Sequence, residues 1–418
     1  TTKFLRTDGD GTCSWQVPPT LTLVDEDNMA SNSATSVPSQ QSTKAYVDTQ
    51  IGGISAAPTV TAVATGTIAN GIGVQANSDG TVSAITKGAS SFGTAQNITA
   101  DAAVGDILEC VGCYNPTDKI WAIFYRVDND SDAHLALATV DGTTLTVGGD
   151  TQVAGHLCYY LSIAYNLATN SYALAYRNGA NGYGFVRTLA GNGTTTNGNM
   201  ISNQRQVCTN NVYGTALVSC PGNVFEWMLL YGRQPNSSGN KRGEAVMVNY
   251  NTGNSAPSVG SMTTWGPTNL GSRGVTSATY NPDKDRVLVS VQNNGNNTLA
   301  VYSIAPNGAS VGSDGGPQVL YSGSGYSKEK VIYDTTNDKV VGFYWDEDSG
   351  GGIVKVKSGV EGSSGSITWS SEVDVTGVAA DDYTAVFNEG AEEVQFFYEQ
   401  GSNGYAYYRT IDCSGSAP

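Results

Sequence analysis

Two acidic loops hold the densest group of chemically active side chains in this 418-residue sequence. Asp128-Asn129-Asp130-Ser131-Asp132 and Asp346-Glu347-Asp348 each crowd carboxylates into a few positions. Hard oxygen ligands at such spacing suit Ca²⁺. Two carboxylates from different loops suit acid–base cleavage of a glycosidic bond. The same residues also make ordinary solvated turns, which is the first reading for both loops. Asp8-Gly9-Asp10-Gly11 lacks the remaining positions of a helix–loop–helix calcium loop. No metal and no cofactor is therefore expected.

Aromatic side chains stand beside several Gly/Asn-rich loops. Tyr183, Trp345 and Tyr405 can stack on sugar rings while neighbouring Asn and Asp bond the hydroxyls. With Asp128, Asp130, Asp132, Asp346 and Asp348 they form the expected ligand-contacting rim. For most of these rings, packing between structural units is the favoured reading. Only His134 and His156 could serve as a histidine base, and no Gly-x-Ser-x-Gly elbow accompanies them. Seven cysteines include one Cys110-Val111-Gly112-Cys113 pair with no second pair to complete a metal site. Structural thiols are expected, with a Cys208–Cys220 disulfide left open. On these grounds the chain reads as noncatalytic.

What positions these loops is a repeat. Val111-Gly112-Cys113-Tyr114-Asn115, Ser162-Ile163-Ala164-Tyr165-Asn166, Ser277-Ala278-Thr279-Tyr280-Asn281, Lys330-Val331-Ile332-Tyr333-Asp334 and Thr384-Ala385-Val386-Phe387-Asn388 share one pattern, with a degenerate copy ending at Pro221. Their anchors fall 51, 56, 59, 53 and 54 residues apart. After each comes an Asn- or Asp-led turn, then an apolar run such as Ile120-Trp121-Ala122-Ile123-Phe124-Tyr125 or Val340-Val341-Gly342-Phe343-Tyr344-Trp345. A polar loop, a third strand and a variable fourth segment follow. A unit of about 50 residues holds four short antiparallel strands. Such a sheet cannot bury both faces alone, and radial stacking covers them.

The expected fold is all-β: a six-bladed β-propeller of four-stranded blades behind a small extended N-terminal arm. A pair of β-sandwiches is the rival. Units are expected to begin near Ile107, Leu157, Gly214, Val275, Lys330 and Tyr383. The sixth lacks a fourth strand, and residues 91–99 are expected to supply it. The domain boundaries are 1–57 for the arm, 58–90 for a linker with lead-in strands, and 91–418 for the propeller.

Composition narrows the partners. Charged residues are 14%, Gly numbers 51 and Tyr 23, and the net charge is −16. Nucleic acid needs clustered Lys and Arg, so it is not an expected partner. No apolar run approaches 18 residues, so no membrane insertion is expected. Thr1-Thr2-Lys3 leads directly into strand-like sequence, so no secretion leader is expected.

The first 57 residues stay outside the repeat. Phe4-Leu5 and Trp15 lie on two short strands around an Asp-Gly turn. Residues 37–48, including Tyr46, read as a short helix. So few bulky apolar residues cannot build a core of their own, and the arm needs copies of itself or a docking surface.

The arm also carries a resemblance. Lys3-Phe4-Leu5-Arg6, Asp8-Gly9-Asp10-Gly11-Thr12, Ser14-Trp15, Val24-Asp25-Glu26-Asp27-Asn28-Met29-Ala30-Ser31 and residues 37–48 are similar to the N-terminal region of tail-fibre-type virion proteins of tailed bacteriophages. Thr65-Gly66-Thr67-Ile68-Ala69-Asn70-Gly71 with Asn77-Ser78-Asp79-Gly80-Thr81-Val82 resembles a lead-in found before propeller-like repeats in phage structural proteins. The likeness covers about 90 residues. It implies a virion component made in the host cytoplasm and anchored to other tail or capsid proteins through Phe4, Leu5, Trp15 and Tyr46. It also implies a homotrimer whose distal part meets a host surface glycan or receptor. A polysaccharide-degrading tailspike and a capsid decoration protein are the alternatives.

Overall fold

The computed structural model describes residues 2–17, 23–26, 28, 30, 36–54, 63–64, 74–77, 81–84 and, from 107 to 415, all but 129–131, 142–143, 192–200, 224, 236–238, 252–254, 324–325 and 347–351. Two compact units divide the chain, Thr1–Ser91 and Phe92–Pro418.

The second unit is the expected propeller, built of six antiparallel sheets whose strands follow one another in chain order. Blade 1 comprises Ile107–Asn115, Ile120–Val127, Ala133–Asp141 and Thr144–Ala154; blade 2 comprises Cys158–Asn166, Ser171–Asn178, Gly184–Ala190 and Arg205–Cys208. Blades 3, 4 and 5 open with Asn211–Ser219, Leu270–Asn281 and Tyr326–Asp334, and each has its outermost strand split in two. Blade 6 shows Ala380–Asn388, Glu393–Gln400 and Tyr405–Ile411. The closing strand expected at residues 91–99 lies outside the described residues.

Burial explains why the sheets stack. Phe124 and Leu135 of blade 1 share a core with Tyr172 and Tyr176 of blade 2. Ala173 and Val186 of blade 2 pack with Trp227 and Val246 of blade 3, so each face of blade 2 serves a different neighbour. Met228 and Leu230 then meet Val289 and Val291 across blades 3 and 4. Leu288 and Val301 meet Val331 and Val340 across blades 4 and 5. Phe343 and Val354 meet Phe396 and Tyr398 across blades 5 and 6. Each fully buried large side chain is worth about 1.5–3 kcal/mol of transfer free energy. At the two ends of the series Tyr114 and Trp121 of blade 1, and Phe397 and Tyr408 of blade 6, stay about half exposed. Among the described residues, packing of the extent seen between neighbours does not join blade 6 to blade 1.

The recurring Asn or Asp is a turn-building residue. Oδ1 of Asn115 accepts from Thr117 N at 2.9 Å and Asp118 N at 3.1 Å. Asn166, Asn281, Asp334 and Asn388 each accept in the same way from the backbone two and three residues on. Four residues after each stands one left-handed position: Lys119, Asn170, Asp285, Asp338 and Glu392. The motif tyrosine completes the turn, as Tyr280 donates to Asp285 at 2.7 Å. Three of these amides also reach the next blade: Asn115 Nδ2 bonds Gly191 O, Asn166 Nδ2 bonds Glu226 O, and Asn281 meets a carboxylate. Asn281 is fully buried, and its Nδ2 donates to Glu361 Oε2 at 2.7 Å. Asn281→Ala therefore removes a turn acceptor and leaves a buried carboxylate oxygen unbonded. A loss of about 2–3 kcal/mol is expected. Asn388→Ala, whose amide serves its own turn, is expected to lose about 1 kcal/mol. Equal urea midpoints for the two variants would contradict this account.

In the first unit Phe4–Thr7 pairs with Cys13–Gln16 around Gly9 and Gly11, whose φ values of 88° and 90° a side chain would resist. Leu23–Val24 pairs in parallel with Val37–Pro38. The helix spans Gln40–Ile54, starting later and running further than the sequence pattern suggests. Ser39 caps it, accepting from Ser42 N at 3.0 Å. Phe4, Leu5, Trp15 and Tyr46 are all exposed, at 39%, 56%, 64% and 38%. No described helix is long and apolar enough to cross a membrane.

Candidate functional site

Each first strand breaks register at the same end of its sheet. The breaks fall between Ile107 and Glu109, Tyr159 and Ser162, Tyr213 and Thr215, Leu270 and Val275, Ser327 and Lys330, and Ala380 and Asp382. Such bulges bend a strand and re-aim side chains, and they gather beside active sites. Four bulge positions are left-handed: Tyr160 and Lys328, both at φ 55°, Gly214 at 63° and Gly274 at 72°. Second strands finish at this end, so the bulges share it with the loops of the expected rim.

Neighbouring bulges lock together. Thr215 Oγ1 donates to Tyr160 O, and Ser162 Oγ lies 2.9 Å from Thr215 Oγ1. Tyr383 Oη donates to Lys328 O, and Lys328 Nζ donates to Asp381 O. Lys328 Nζ also sits 3.7 Å from Asp382 Oδ1 and 4.7 Å above the Trp345 ring. Glu329 beside it is buried. Burial pulls the Lys330 ammonium below its ordinary range, against the nearby charges of Asp382 and Glu329.

Glu109 of blade 1 reaches the bulge of blade 2. Its Oε1 accepts from Leu161 N at 2.6 Å and its Oε2 from Tyr160 N at 3.1 Å. Arg126 Nε stands 4.0 Å from Oε2. Burial nevertheless pushes this carboxyl above the usual carboxylate range, outweighing the two N–H donors and Arg126. Glu109 lines a cavity of about 420 Å³ together with Val111, Tyr160, Thr215, Arg273 and Val275. That volume falls within the range of small-ligand sites.

A file of cations and tyrosines runs along the same end of blades 1 to 3. Arg126 lies 4.8 Å over the Tyr159 ring. Arg177 lies 5.7 Å from Tyr159, 5.9 Å from Tyr160 and 5.3 Å from Tyr213. Lys241 Nζ lies 4.2 Å over Tyr213 and donates to Ser272 O at 3.0 Å.

The residues singled out in the sequence fall as follows. Asp128 is exposed in the turn after its strand, and Asp132 accepts from Gln152 Nε2. Asp130 and Asp348 lie outside the described residues. Asp346 is buried against Lys355 Nζ at 3.0 Å. Tyr183 is half-buried against the shared core of blades 1 and 2. Trp345 alone of the set is shown against a bulge residue, Lys328. Tyr405 is exposed at the start of its strand. His134 pairs with Asp150 and stacks on Tyr125. All seven cysteines are free thiols, so Cys208 and Cys220 form no disulfide. Burial pushes the Cys220 thiol up to about 12. Among the described residues no three His, Cys, Asp or Glu side chains cluster so as to hold a metal.

Glu109, Tyr160, Arg177 and Arg273 were not on the sequence-based rim. One signal marks part of this set. Counting back five residues from the motif aromatic gives Glu109, Tyr160, Lys328 and Asp382, polar positions at the mouth of a strand, and in blade 4 the apolar Val275.

No protein-family model matches the chain, and no curated protein matches it in sequence. Solved structures share the fold. The Dos1 propeller is 10% identical, with 81% of this chain and 80% of that one covered at a TM-score of 0.42. A Hadza microbial sialidase is 10% identical, with 73% and 65% covered at 0.42. An exo-beta-1,3-galactanase from Phanerochaete chrysosporium, solved with galactose, is 11% identical, with 62% of each chain covered at 0.39. The chain thus spans less than two thirds of the sialidase and the galactanase. These likenesses show the fold alone. The reading of the chain as noncatalytic is corrected here: a sialidase and an exo-beta-1,3-galactanase stand among its structural neighbours, and whether this chain has an activity is a question for its own site. A carboxylate pair was expected, if anywhere, in the acidic loops at Asp128–Asp132 and Asp346–Asp348, whereas the buried carboxyl stands at the blade 1 bulge, in Glu109.

Proposed function

We propose that the propeller cleaves polysaccharide at its centre, with Glu109 as the acid that protonates the departing glycosidic oxygen. The observation that carries this is a carboxyl held above its ordinary range by burial, at the wall of a 420 Å³ cavity. A general acid must keep its proton near working pH, and burial is how a carboxyl does so. As the bond from the anomeric carbon to the leaving oxygen breaks, Glu109 gives that oxygen its proton, and water bonds the anomeric carbon while giving a proton to a second carboxylate, which leaves the new hydroxyl. The bulges of blades 5 and 6 offer the second carboxylate, from Glu329 or Asp382. Incubating the protein with host surface polysaccharide and following chain length by size-exclusion chromatography tests the reading. Chains that stay intact would refute it.

The N-terminal arm supports a place on a tailed-phage particle, with the propeller toward the host surface. Its wording resembles virion anchoring regions, and its exposed Phe4, Leu5, Trp15 and Tyr46 offer a surface for copies or neighbours. Sedimentation equilibrium is expected to give three times the 43.5 kDa chain mass. Removing residues 1–57 is expected to return a single-chain mass. A monomeric full-length chain would refute the trimer, and labelling confined to the capsid of intact particles would refute the tail position.

A further inference from the structure

The chain as a whole is strongly acidic, yet the end of the propeller around the cavity is locally cationic along blades 1 to 4. Arg126, Arg177, Lys241 and Arg273 stand at this end; Glu109 lies 4.0 Å from Arg126, and Arg273 acts on Lys330 and Tyr383 alongside Glu329 and Asp382. Arg177 has no carboxylate partner among the described residues, and its Nε is buried without a hydrogen bond. Lys241 spends its bonds on Gly271 O and Ser272 O, neither of which neutralises it. Arg273 is exposed on the cavity wall and makes no hydrogen bond or ion pair among the described residues. Blades 5 and 6 differ: there Lys328 faces Asp382.

Unspent cations beside a sugar-sized cavity call for an anion. A guanidinium takes a carboxylate through paired N–H bonds, a fit that a neutral hydroxyl does not match. The tyrosine rings between the cations offer faces for the sugars themselves. We infer that the substrate is an acidic polysaccharide of the uronate class, whose carboxylates lie along Arg177, Lys241 and Arg273 while one sugar occupies the cavity at Glu109. This rests on the polysaccharide-cleaving reading and names its substrate. An anionic chain would also favour the neutral form of Glu109, because a nearby negative charge opposes ionisation of a carboxyl.

The test uses the full-length chain and matched polymers: polygalacturonate, hyaluronate and alginate, each beside its carboxyl-reduced form. At low salt the acidic member of at least one pair is expected to bind about tenfold or more tightly than the reduced one. Added salt should erode that preference. Arg273→Ala should remove most of it without moving the unfolding midpoint, since Arg273 bonds nothing in the fold. Arg177→Ala should also weaken the preference, with some loss of stability because its guanidinium packs on the Tyr159, Tyr160 and Tyr213 rings, and the Arg177→Ala/Arg273→Ala double variant should abolish it. Glu109→Gln should keep the preference and lose cleavage. Equal binding within every pair, no binding to any acidic polymer, or a preference untouched in the double arginine variant would overturn the inference. If reduced polymers are bound and shortened as well as acidic ones, the substrate class falls and the cleavage reading stands. If acidic chains are preferred but never shortened, the anion preference stands and the cleavage reading falls.

Discussion

Glu109→Gln is expected to slow polysaccharide cleavage by roughly 10²–10⁴-fold, the usual contribution of a positioned general acid. The amide keeps one acceptor for the Leu161 and Tyr160 N–H groups but carries no proton to give. The kinetic effect should fall on kcat, because protonation of the leaving oxygen belongs to the transition state. A loss confined to KM would mean that Glu109 only binds. The wild-type profile adds a sign. An acid must be protonated to act, so activity should fall as pH rises through the elevated value of Glu109 and hold below it until the second carboxylate is protonated. The folded chain holds that proton more tightly than the unfolded chain does. Glu109 therefore costs stability above the pH at which the unfolded carboxyl ionises, and that cost vanishes as pH falls below it. In the Gln variant the alkaline limb should no longer be set by this residue. A limb that stays in place would reassign the acid.

The sequence carried the architecture because the repeat is written in backbone chemistry. Asn115, Asn166, Asn281, Asp334 and Asn388 recur because one side chain must accept from two N–H groups at the same turn. Unit starts were less legible. Gly214, Val275, Lys330 and Tyr383 mark where an unbroken alternation begins, whereas the strands begin earlier, at Asn211, Leu270, Tyr326 and Ala380. The residues lost to the count are those around the bulges, where an inserted residue destroys the period of two that reveals a strand. The candidate site was hidden for the same reason. Acidic runs such as Asp128 to Asp132 look like chemistry in a sequence because they are adjacent, yet Asp132 bonds Gln152 and Asp346 is buried on Lys355. Glu109, Tyr160 and Arg273 come together only because their blades place the bulges side by side.

Gly274→Ala should be among the most damaging single changes in the propeller, at about 2–5 kcal/mol, and Gly377→Ala shows why. Both glycines are left-handed, at φ 72° and 63°. For an L-residue that conformation costs about 1–2 kcal/mol. Around Gly377 nothing lies within 4 Å of an added Cβ, so the backbone term should be the whole effect there. At Gly274 the added carbon would lie 1.9 Å from Tyr213 O, a backbone atom of the neighbouring blade. Gly214 has the converse relation, with its Cβ position 2.0 Å from Val275 O. The two bulges thus interlock as backbone on backbone, and no rotamer change can relieve the clash. Blades 3 and 4 would have to part, which opens the cluster joining Met228 and Leu230 to Val289 and Val291 and adds about 1–3 kcal/mol of packing loss. Urea unfolding of the two alanine variants separates the terms. Equal midpoints would show that the left-handed backbone alone matters and that the interlock is incidental. A much lower midpoint for Gly274→Ala, with loss of acidic-polymer binding, would show that the bulges hold the blades and the cavity wall in one piece.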